Sequence, residues 1–199
     1  MFLIAEPDRQ FVERFLVDRE NDTFSYPEIG ATRSAAPAGY NIDHNRIKIG
    51  TGKAAFEKAQ KAVQDWDMFG MGWVTLSPDR TPIEPGRTVA ISVRHFGFYS
   101  LSSARIVYTI DEIGDISRFG FAYGTLTEHA EIGEERFTVE YDSESGEVWY
   151  DLFAFSRPGS MLARIGYPLS RYLQKAFARD SKLAMYNAVA DAAAPSKNR

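Results

Sequence analysis

The sequence predicts an α+β fold in which a curved antiparallel β-sheet wraps around a long C-terminal helix. Three observations support this: helical periodicity in two segments near the N-terminus, a central run of alternating strand-like segments, and a long amphipathic segment at the end. The strand-like segments are joined by short turns, and a parallel crossover needs a dozen residues or more, so the sheet should be antiparallel. The closing helix is the natural cover for one face of that sheet.

The element boundaries follow from periodicity and turn residues. We expect helices over 8–20 and 52–66, separated by a long loop over 23–52. The strands are expected at 74–76, 88–93, 104–110, 117–126, 135–141 and 147–157, as a meander. The closing helix should occupy 160–192, with Pro168 near its first turns or at a kink, because proline lacks the amide donor.

Composition limits the chemistry. The chain has 199 residues, no Cys, three His and a net charge of −4 from 23 Lys and Arg against 27 Asp and Glu. Without Cys there is no thiol nucleophile, disulfide framework or zinc–thiolate site. We expect one domain over 1–192 with a flexible tail over 193–199, no cofactor and no metal. Nucleic acid is an improbable partner for so acidic a chain.

The sequence shows no targeting signal. The apolar start, residues 1–5, is short and is followed by Glu6, Pro7 and Asp8, unlike a signal peptide. No apolar run reaches the roughly 18–20 residues that a membrane span needs. We therefore predict a cytoplasmic protein without a transmembrane segment.

Aromatic residues make up 14% of the chain and concentrate in two predicted strands. In the first strand, large and small residues alternate, so the two sets point to opposite faces. The large set is Phe119, Phe121, Tyr123 and Thr125; the small set is Gly120, Ala122 and Gly124. The rings either fill the core while the small face lets a helix approach closely, or they form a cavity floor where the two hydroxyl groups orient a ligand.

The second aromatic strand covers 149–157. Phe153, Phe155 and Arg157 share one face, and Tyr150 lies on the other. A guanidinium directly after an apolar strand needs a partner. Arg157 therefore either pairs with Glu134 or Glu135, or binds the anionic headgroup of a ligand.

The closing helix carries a basic stripe. The stripe contains Arg164, Arg171, Lys175, Arg179 and Lys182, which fall on one side at helical spacing. The apolar residues of this helix lie on the opposite side. The stripe is either a solvated outer face or, through Arg171, Lys175 and Arg179, a docking surface for an anionic membrane or an acidic partner.

Several short motifs occur in a recognisable order. They are Tyr26-x-x-x-Gly30-x-Thr32, Pro37-x-Gly39-Tyr40-x-x-Asp43, Phe119-Gly-Phe-Ala-Tyr-Gly-Thr-Leu126, Gly133-Glu-Glu-x-Phe137, Trp149-Tyr150 and Phe155-Ser-Arg-Pro158. Over residues 23–182 the chain resembles the UPF0548 family, to which no activity is assigned. That family in turn resembles the START-like, birch-pollen-allergen-like helix-grip superfamily. Its members commonly hold lipids, sterols or other hydrophobic molecules between sheet and C-terminal helix, and some are cyclases or hydrolases.

Three functions remain open from the sequence. The first is binding of a small hydrophobic or amphipathic ligand, such as a lipid or isoprenoid, between sheet and helix. Its candidate contacts are Phe119, Phe121, Tyr123, Thr125, Glu135, Tyr150, Phe153, Phe155 and Arg157. The second is an enzyme in the same cavity, with Glu135 as acid or base, which requires a Glu135 pKa raised by desolvation. The third is an adaptor that uses the basic stripe. The first two fail if the protein's own rings fill the gap.

Overall fold

The computed structural model describes residues 1–34, 36–127, 131–159 and 167–191, and within these ranges it contains eight strands and three α-helices. The strands are β1 Phe2–Leu3, β2 Asn41–Thr51, β3 Val74–Ser77, β4 Thr88–Arg94, β5 Tyr99–Glu112, β6 Ile116–Thr125, β7 Glu131–Asp142 and β8 Glu147–Pro158. The helices are α1 Arg9–Asp18, α2 Lys53–Gln64 and α3 Tyr167–Asp191. The start of the predicted closing helix, 160–166, and the predicted tail lie outside the described residues.

All eight strands belong to one antiparallel sheet. Seven follow the order β2-β8-β7-β6-β5-β4-β3, and β1 pairs with the beginning of β5. From β3 to β8 each strand neighbours the next one in the chain, which is the expected meander. The sheet is curved, with α3 on its concave face, so the predicted helix-grip fold is confirmed.

The concave face carries the main hydrophobic core. Side chains alternate along each strand, so every second residue of β6, β7 and β8 points to this face. Phe121, Phe137 and Tyr150 are completely buried there. Phe121 stacks on Phe137 at 5.3 Å between ring centroids and meets the edge of Trp66 at 4.6 Å. Helices α2 and α3 cover this cluster.

The convex face is covered by the N-terminal part of the chain. Helix α1 starts at the N-cap Asp8, whose carboxylate accepts a hydrogen bond from the amide of Phe11 at 2.8 Å. Val12 and Phe15 of this helix pack against Ala90 of β4 and Leu101 of β5 in a second, smaller core. Part of the convex face is therefore also buried.

The prediction of a continuous loop over 23–52 is wrong in its second half. Residues 41–51 form the edge strand β2, which pairs with β8 from Asn41 opposite Ser156 to Thr51 opposite Glu147. An edge strand needs little apolar surface on its outer side, so β2 alternates charged and polar side chains with Ile47 and Ile49. This stretch contains Asn and Asp, which are common in loops, and for that reason the sequence did not predict a strand here.

The small face of β6 accommodates a tyrosine rather than a helix. Gly124 lies directly under the phenol of Tyr26, and a Cβ atom on Gly124 would collide with the Tyr26 hydroxyl group. Tyr26 is 2% exposed and packs its ring edge-on against Phe155 at 5.5 Å. The other face of β6 belongs to the core, as expected from the alternation of large and small residues.

We predict that Gly124→Ala destabilises the protein by about 2 kcal/mol, because Tyr26 must leave its position. Urea unfolding measures the difference. Gly72→Ala is the matched control, since no atom lies within 4 Å of the corresponding Cβ position. Equal stability of the two variants would contradict the close approach of Tyr26 to β6.

Candidate ligand-binding cavity

The two halves of α3 meet the sheet differently. In the C-terminal half, Ala178, Ser181, Met185 and Val189 are buried against the core. The Ser181 hydroxyl group lies 2.8 Å from the hydroxyl group of Tyr150 on β8. This half therefore closes the sheet–helix gap with protein atoms.

The N-terminal half of α3 leaves a cavity of about 1140 Å³ between the helix and the concave face. Sites for drug-sized molecules have volumes of about 300–1,000 Å³. Apolar walls come from α3, the strands and the segment between α2 and β3, and include Phe69, Trp73, Val93, Leu152, Leu173 and Phe177. The rings thus fill one end of the sheet–helix gap, and the other end is open for a ligand.

Side-chain hydrogen bonds hold α3 in place across this cavity. They connect the helix to β2, to β8 and to the segment before β3. The bonds are Arg171 Nη2 to Asp43 Oδ1 at 2.7 Å, Lys182 Nζ to Asn45 Oδ1 at 3.2 Å, Gln174 Nε2 to Ser156 Oγ at 3.1 Å and Trp73 Nε1 to Asp180 Oδ2 at 3.0 Å. The N-terminal half of α3 is therefore held at a distance from the sheet by polar bonds, without the apolar packing of the C-terminal half.

The polar centre of the cavity is a tyrosine–glutamate pair on adjacent strands. Tyr123 of β6 lies opposite Glu135 of β7 in the register, and both side chains line the cavity. The Tyr123 hydroxyl group donates a hydrogen bond to Glu135 Oε2 at 2.7 Å. Among the described residues, Glu135 accepts a side-chain hydrogen bond from Tyr123 alone.

Burial changes the acidity of both groups. Desolvation raises the pKa of Glu135 to about 7, the nearby charge of Asp43 adds to this effect, and the Tyr123 hydrogen bond opposes it. The pKa of Tyr123 is raised well above its usual value, first by burial and then by the charge of Glu135. Glu135 is therefore near the midpoint of its titration at neutral pH, whereas Tyr123 keeps its proton.

The neighbouring Glu134 has the opposite environment. It points to the convex face, is 2% exposed, and its carboxylate accepts several hydrogen bonds from the segment that carries the first resemblance motif. The donors are Tyr26 Oη at 2.7 Å, the amide of Gly30 at 2.7 Å, the amide of Thr32 at 3.0 Å and the Thr32 hydroxyl group. Gly30 has a φ of 84°, which favours glycine at this position. Glu134 thus anchors the N-terminal segment, while Glu135 is left to the cavity.

The structure brings three of the nine candidate contact residues to the cavity with their side chains: Tyr123, Thr125 and Glu135. Phe155 lies opposite Glu134 in the register, shares its convex face and packs against Tyr26 at 5.5 Å. Phe121 and Tyr150 belong to the filled core, and Phe119 packs at its margin. Phe153 lies on the convex side, where its ring meets His44 at 5.5 Å and the guanidinium of Arg136 at 5.3 Å. The large face of β6 is thus core at one end and cavity wall at the other.

The expected ion pair of Arg157 with Glu134 or Glu135 is wrong. The Arg157 side chain is exposed, and its guanidinium lies over the ring of Tyr40 at 4.6 Å. Glu134 is already saturated by the N-terminal segment, and Glu135 points to the other face of the sheet. Arg157 also does not line the cavity, so the headgroup alternative has no support from its position.

The basic stripe of α3 does not form a free cationic surface. Arg171 is paired with Asp43, Arg179 bonds the neighbouring Asp180 at 2.8 Å, and Lys182 bonds Asn45. The stripe runs along the rim of the cavity next to β2, where Arg171 and Lys182 bond the strand, while Lys175 and Arg179 are exposed. The predicted docking to an anionic surface through Arg171, Lys175 and Arg179 is not supported. Arg164 lies outside the described residues.

Sequence reasoning missed several wall residues. Phe69 and Trp73 lie in a short irregular segment after α2, where no periodicity marks them. Asp43, which holds Arg171, was hidden in the unrecognised strand β2. Leu173 and Phe177 carried a usable signal, because they fall on the predicted apolar side of the closing helix.

Comparison with known proteins gives the same family as the resemblance of the short motifs. Residues 25–184 match the domain of unknown function DUF1990. A UPF0548 protein of Dictyostelium discoideum is 36% identical over 208 residues, covering 95% of this chain and 96% of that protein. The chain belongs to the UPF0548 family. A UPF0548 protein of Arabidopsis thaliana is 38% identical over 151 residues, covering 74% of this chain and 72% of that protein.

Solved structures resemble this chain at low sequence identity. Norcoclaurine synthase of Thalictrum flavum is 9% identical, with a TM-score of 0.49, and the match covers 80% of this chain and 100% of that chain. Within the described part of this UPF0548 protein, no helix is long and apolar enough to cross a membrane.

We predict that Glu135→Gln changes the pH dependence of stability. Below about pH 4.5 the carboxyl group is protonated in both states, and between about 4.5 and 7 only the unfolded chain loses the proton. The wild-type protein should therefore lose about 3 kcal/mol relative to the variant across this window, with no further loss above it. Urea unfolding at a series of pH values measures the difference. The exposed Glu84→Gln is the control, and a Glu135→Gln curve parallel to the wild type would refute the raised pKa.

Proposed function

We propose that this protein binds a small hydrophobic or amphipathic molecule, of lipid or isoprenoid size, in the cavity between α3 and the concave face. The observation that carries the proposal is the cavity of about 1140 Å³, walled by aromatic and aliphatic side chains and equipped with one polar pair. Apolar walls with a few convergent polar groups are typical of ligand sites. A ligand there would remove the apolar walls from water, which favours binding.

The candidate contacts at the cavity are Tyr123, Thr125 and Glu135 from the sheet, with Phe69 and Phe177 facing them. Phe69 and Phe177 lie 5.3 Å apart and form the boundary between the filled core and the open end. An apolar chain or ring system would contact this pair, and its polar group would reach Tyr123 and Glu135.

Native mass spectrometry of the protein purified from its natural source tests the proposal directly. We expect a bound small molecule that is released on denaturation. Protein that is empty and also binds no compound in a screen of lipids and isoprenoids would refute it.

Filling the cavity should abolish binding. Ala154 lies opposite Glu135 in the register and lines the cavity, so Ala154→Phe places a ring where the ligand would be. We expect at least about a tenfold loss of affinity for the identified ligand, since a filled site excludes it. Isothermal titration calorimetry measures the loss, and circular dichroism checks the fold. Ala190→Phe, on an exposed part of α3, is the control; the same affinity in both variants would place the site elsewhere.

Catalysis in the same cavity is the second candidate, and the Glu135 carboxyl group favours it. A pKa near neutrality allows this group both to accept and to donate a proton at physiological pH. Tyr123 would orient it by the 2.7 Å hydrogen bond.

The catalytic candidate predicts turnover of the ligand found by mass spectrometry. Glu135→Gln should bind that molecule within about threefold of the wild type and should reduce turnover by at least about 100-fold, the usual contribution of a general acid or base. Liquid chromatography with mass spectrometry follows the product. Recovery of the unchanged ligand from the wild-type protein would refute the catalytic function and would be consistent with ligand binding alone.

A further inference from the structure

The Tyr123–Glu135 pair offers acceptors to a ligand and no donor when Glu135 is ionised. The single hydroxyl proton of the pair is used internally, because Tyr123 donates it to Glu135 Oε2. What remains towards the cavity is Glu135 Oε1 and the lone pairs of the Tyr123 oxygen. A ligand group that meets this pair must therefore donate hydrogen bonds.

No cation of the protein neutralises Glu135 among the described residues. The cavity carries further charged and titratable groups on β2, β7, the β4–β5 turn and α3: Asp43, His44, Glu131, His95, Lys175, Arg179 and Lys182. Burial raises the pKa of Tyr150 on β8, and the nearby charge of Glu135 adds to this effect. The basic side chains among these are engaged elsewhere or exposed: His44 lies 2.6 Å from Asp151, His95 lies 2.8 Å from Ser100, Arg179 bonds Asp180, Lys182 bonds Asn45, and Lys175 is exposed.

Two further acidic groups lie near the cavity, and Arg171 interacts with both: it forms an ion pair with Asp43 and opposes the desolvation that raises the pKa of Glu131. Asp43 lies close enough to raise the pKa of Glu135, and Glu131 lines the same cavity. Arg136, which follows Glu135 on β7, points to the convex face and bonds Asp151 at 2.9 Å. Within the part of the chain that the structure describes, the Glu135 carboxyl group at the centre of the cavity thus has no cationic partner between its apolar walls.

We propose that the ligand of this cavity carries a basic nitrogen, protonated when bound, whose N–H groups donate to Glu135 and to the Tyr123 oxygen while its apolar body lies against Phe69 and Phe177. This inference rests on the proposed binding function and names the chemical class of the ligand. An ammonium group supplies both the donors and the positive charge that the site lacks. A carboxylate would place two like charges together, and an alcohol would supply one donor without the charge.

Three probes with the same alkyl chain test the inference: decylamine, decanol and decanoate. At about pH 8 the amine is protonated and Glu135 is mostly ionised. Isothermal titration calorimetry should show that decylamine binds about tenfold more tightly than decanol, and decanoate more weakly than both. Lowering the pH to about 5.5 should weaken decylamine binding about tenfold and leave decanol unchanged, because Glu135 becomes neutral.

Two glutamine variants locate the contact. Glu135→Gln should remove most of the preference for decylamine over decanol, and an unchanged circular dichroism spectrum will show that the fold is intact. Glu131→Gln, in the same cavity, should retain the preference. Equal losses in both variants would mean that overall negative charge attracts the amine, and the assignment to Glu135 would be wrong.

The binding function and the basic nitrogen of the ligand can be refuted separately. If none of the three probes binds, the proposed binding function fails together with this inference. If decanol or decanoate binds as tightly as decylamine, the binding function stands and the basic nitrogen is wrong.

Discussion

The alternation of side chains along β7 is the constraint on which the rest of the structure depends. Glu134 and Glu135 are neighbours in sequence, yet they point to opposite faces of the sheet. On the convex face, Glu134 receives hydrogen bonds from four donors of the N-terminal segment. On the concave face, Glu135 receives one, from Tyr123. A single strand thus supplies both the anchor of the fold and the polar group of the cavity.

Anchoring the convex face also shapes the concave one. The N-terminal segment fixes β6, β7 and β8 from outside through Tyr26, which requires the glycine at position 124. With the strands held from that side, α3 does not need to pack along its whole length. Its C-terminal half is buried on the core, while its N-terminal half is held by polar bonds such as Arg171 to Asp43. The cavity exists because the C-terminal half of α3 packs on the core, whereas the N-terminal half is held at a distance from the sheet by polar bonds.

Much of this architecture could be predicted from the sequence, and the gaps have physical causes. Short turns and alternating residues were enough for the meander, and the long amphipathic segment was enough for the closing helix. The edge strand β2 was missed because an edge tolerates polar residues. The direction of Glu134 and Glu135 could not be known, since register is set by pairing with other strands. For the same reason the rings of Phe121 and Tyr123 could not be divided in advance between core and cavity.

Trp73 has a consequence for work on this protein in solution. Its indole lies in the cavity wall and donates a hydrogen bond to Asp180 of α3. A ligand in the cavity therefore changes the polarity of the surroundings of the indole and its contact with the helix. The other two tryptophans differ: Trp66 is buried in the core, and Trp149 lies under the guanidinium of Arg46 at 4.4 Å. A change in tryptophan fluorescence when the cavity is filled therefore comes chiefly from Trp73, so ligand binding can be followed without an added label.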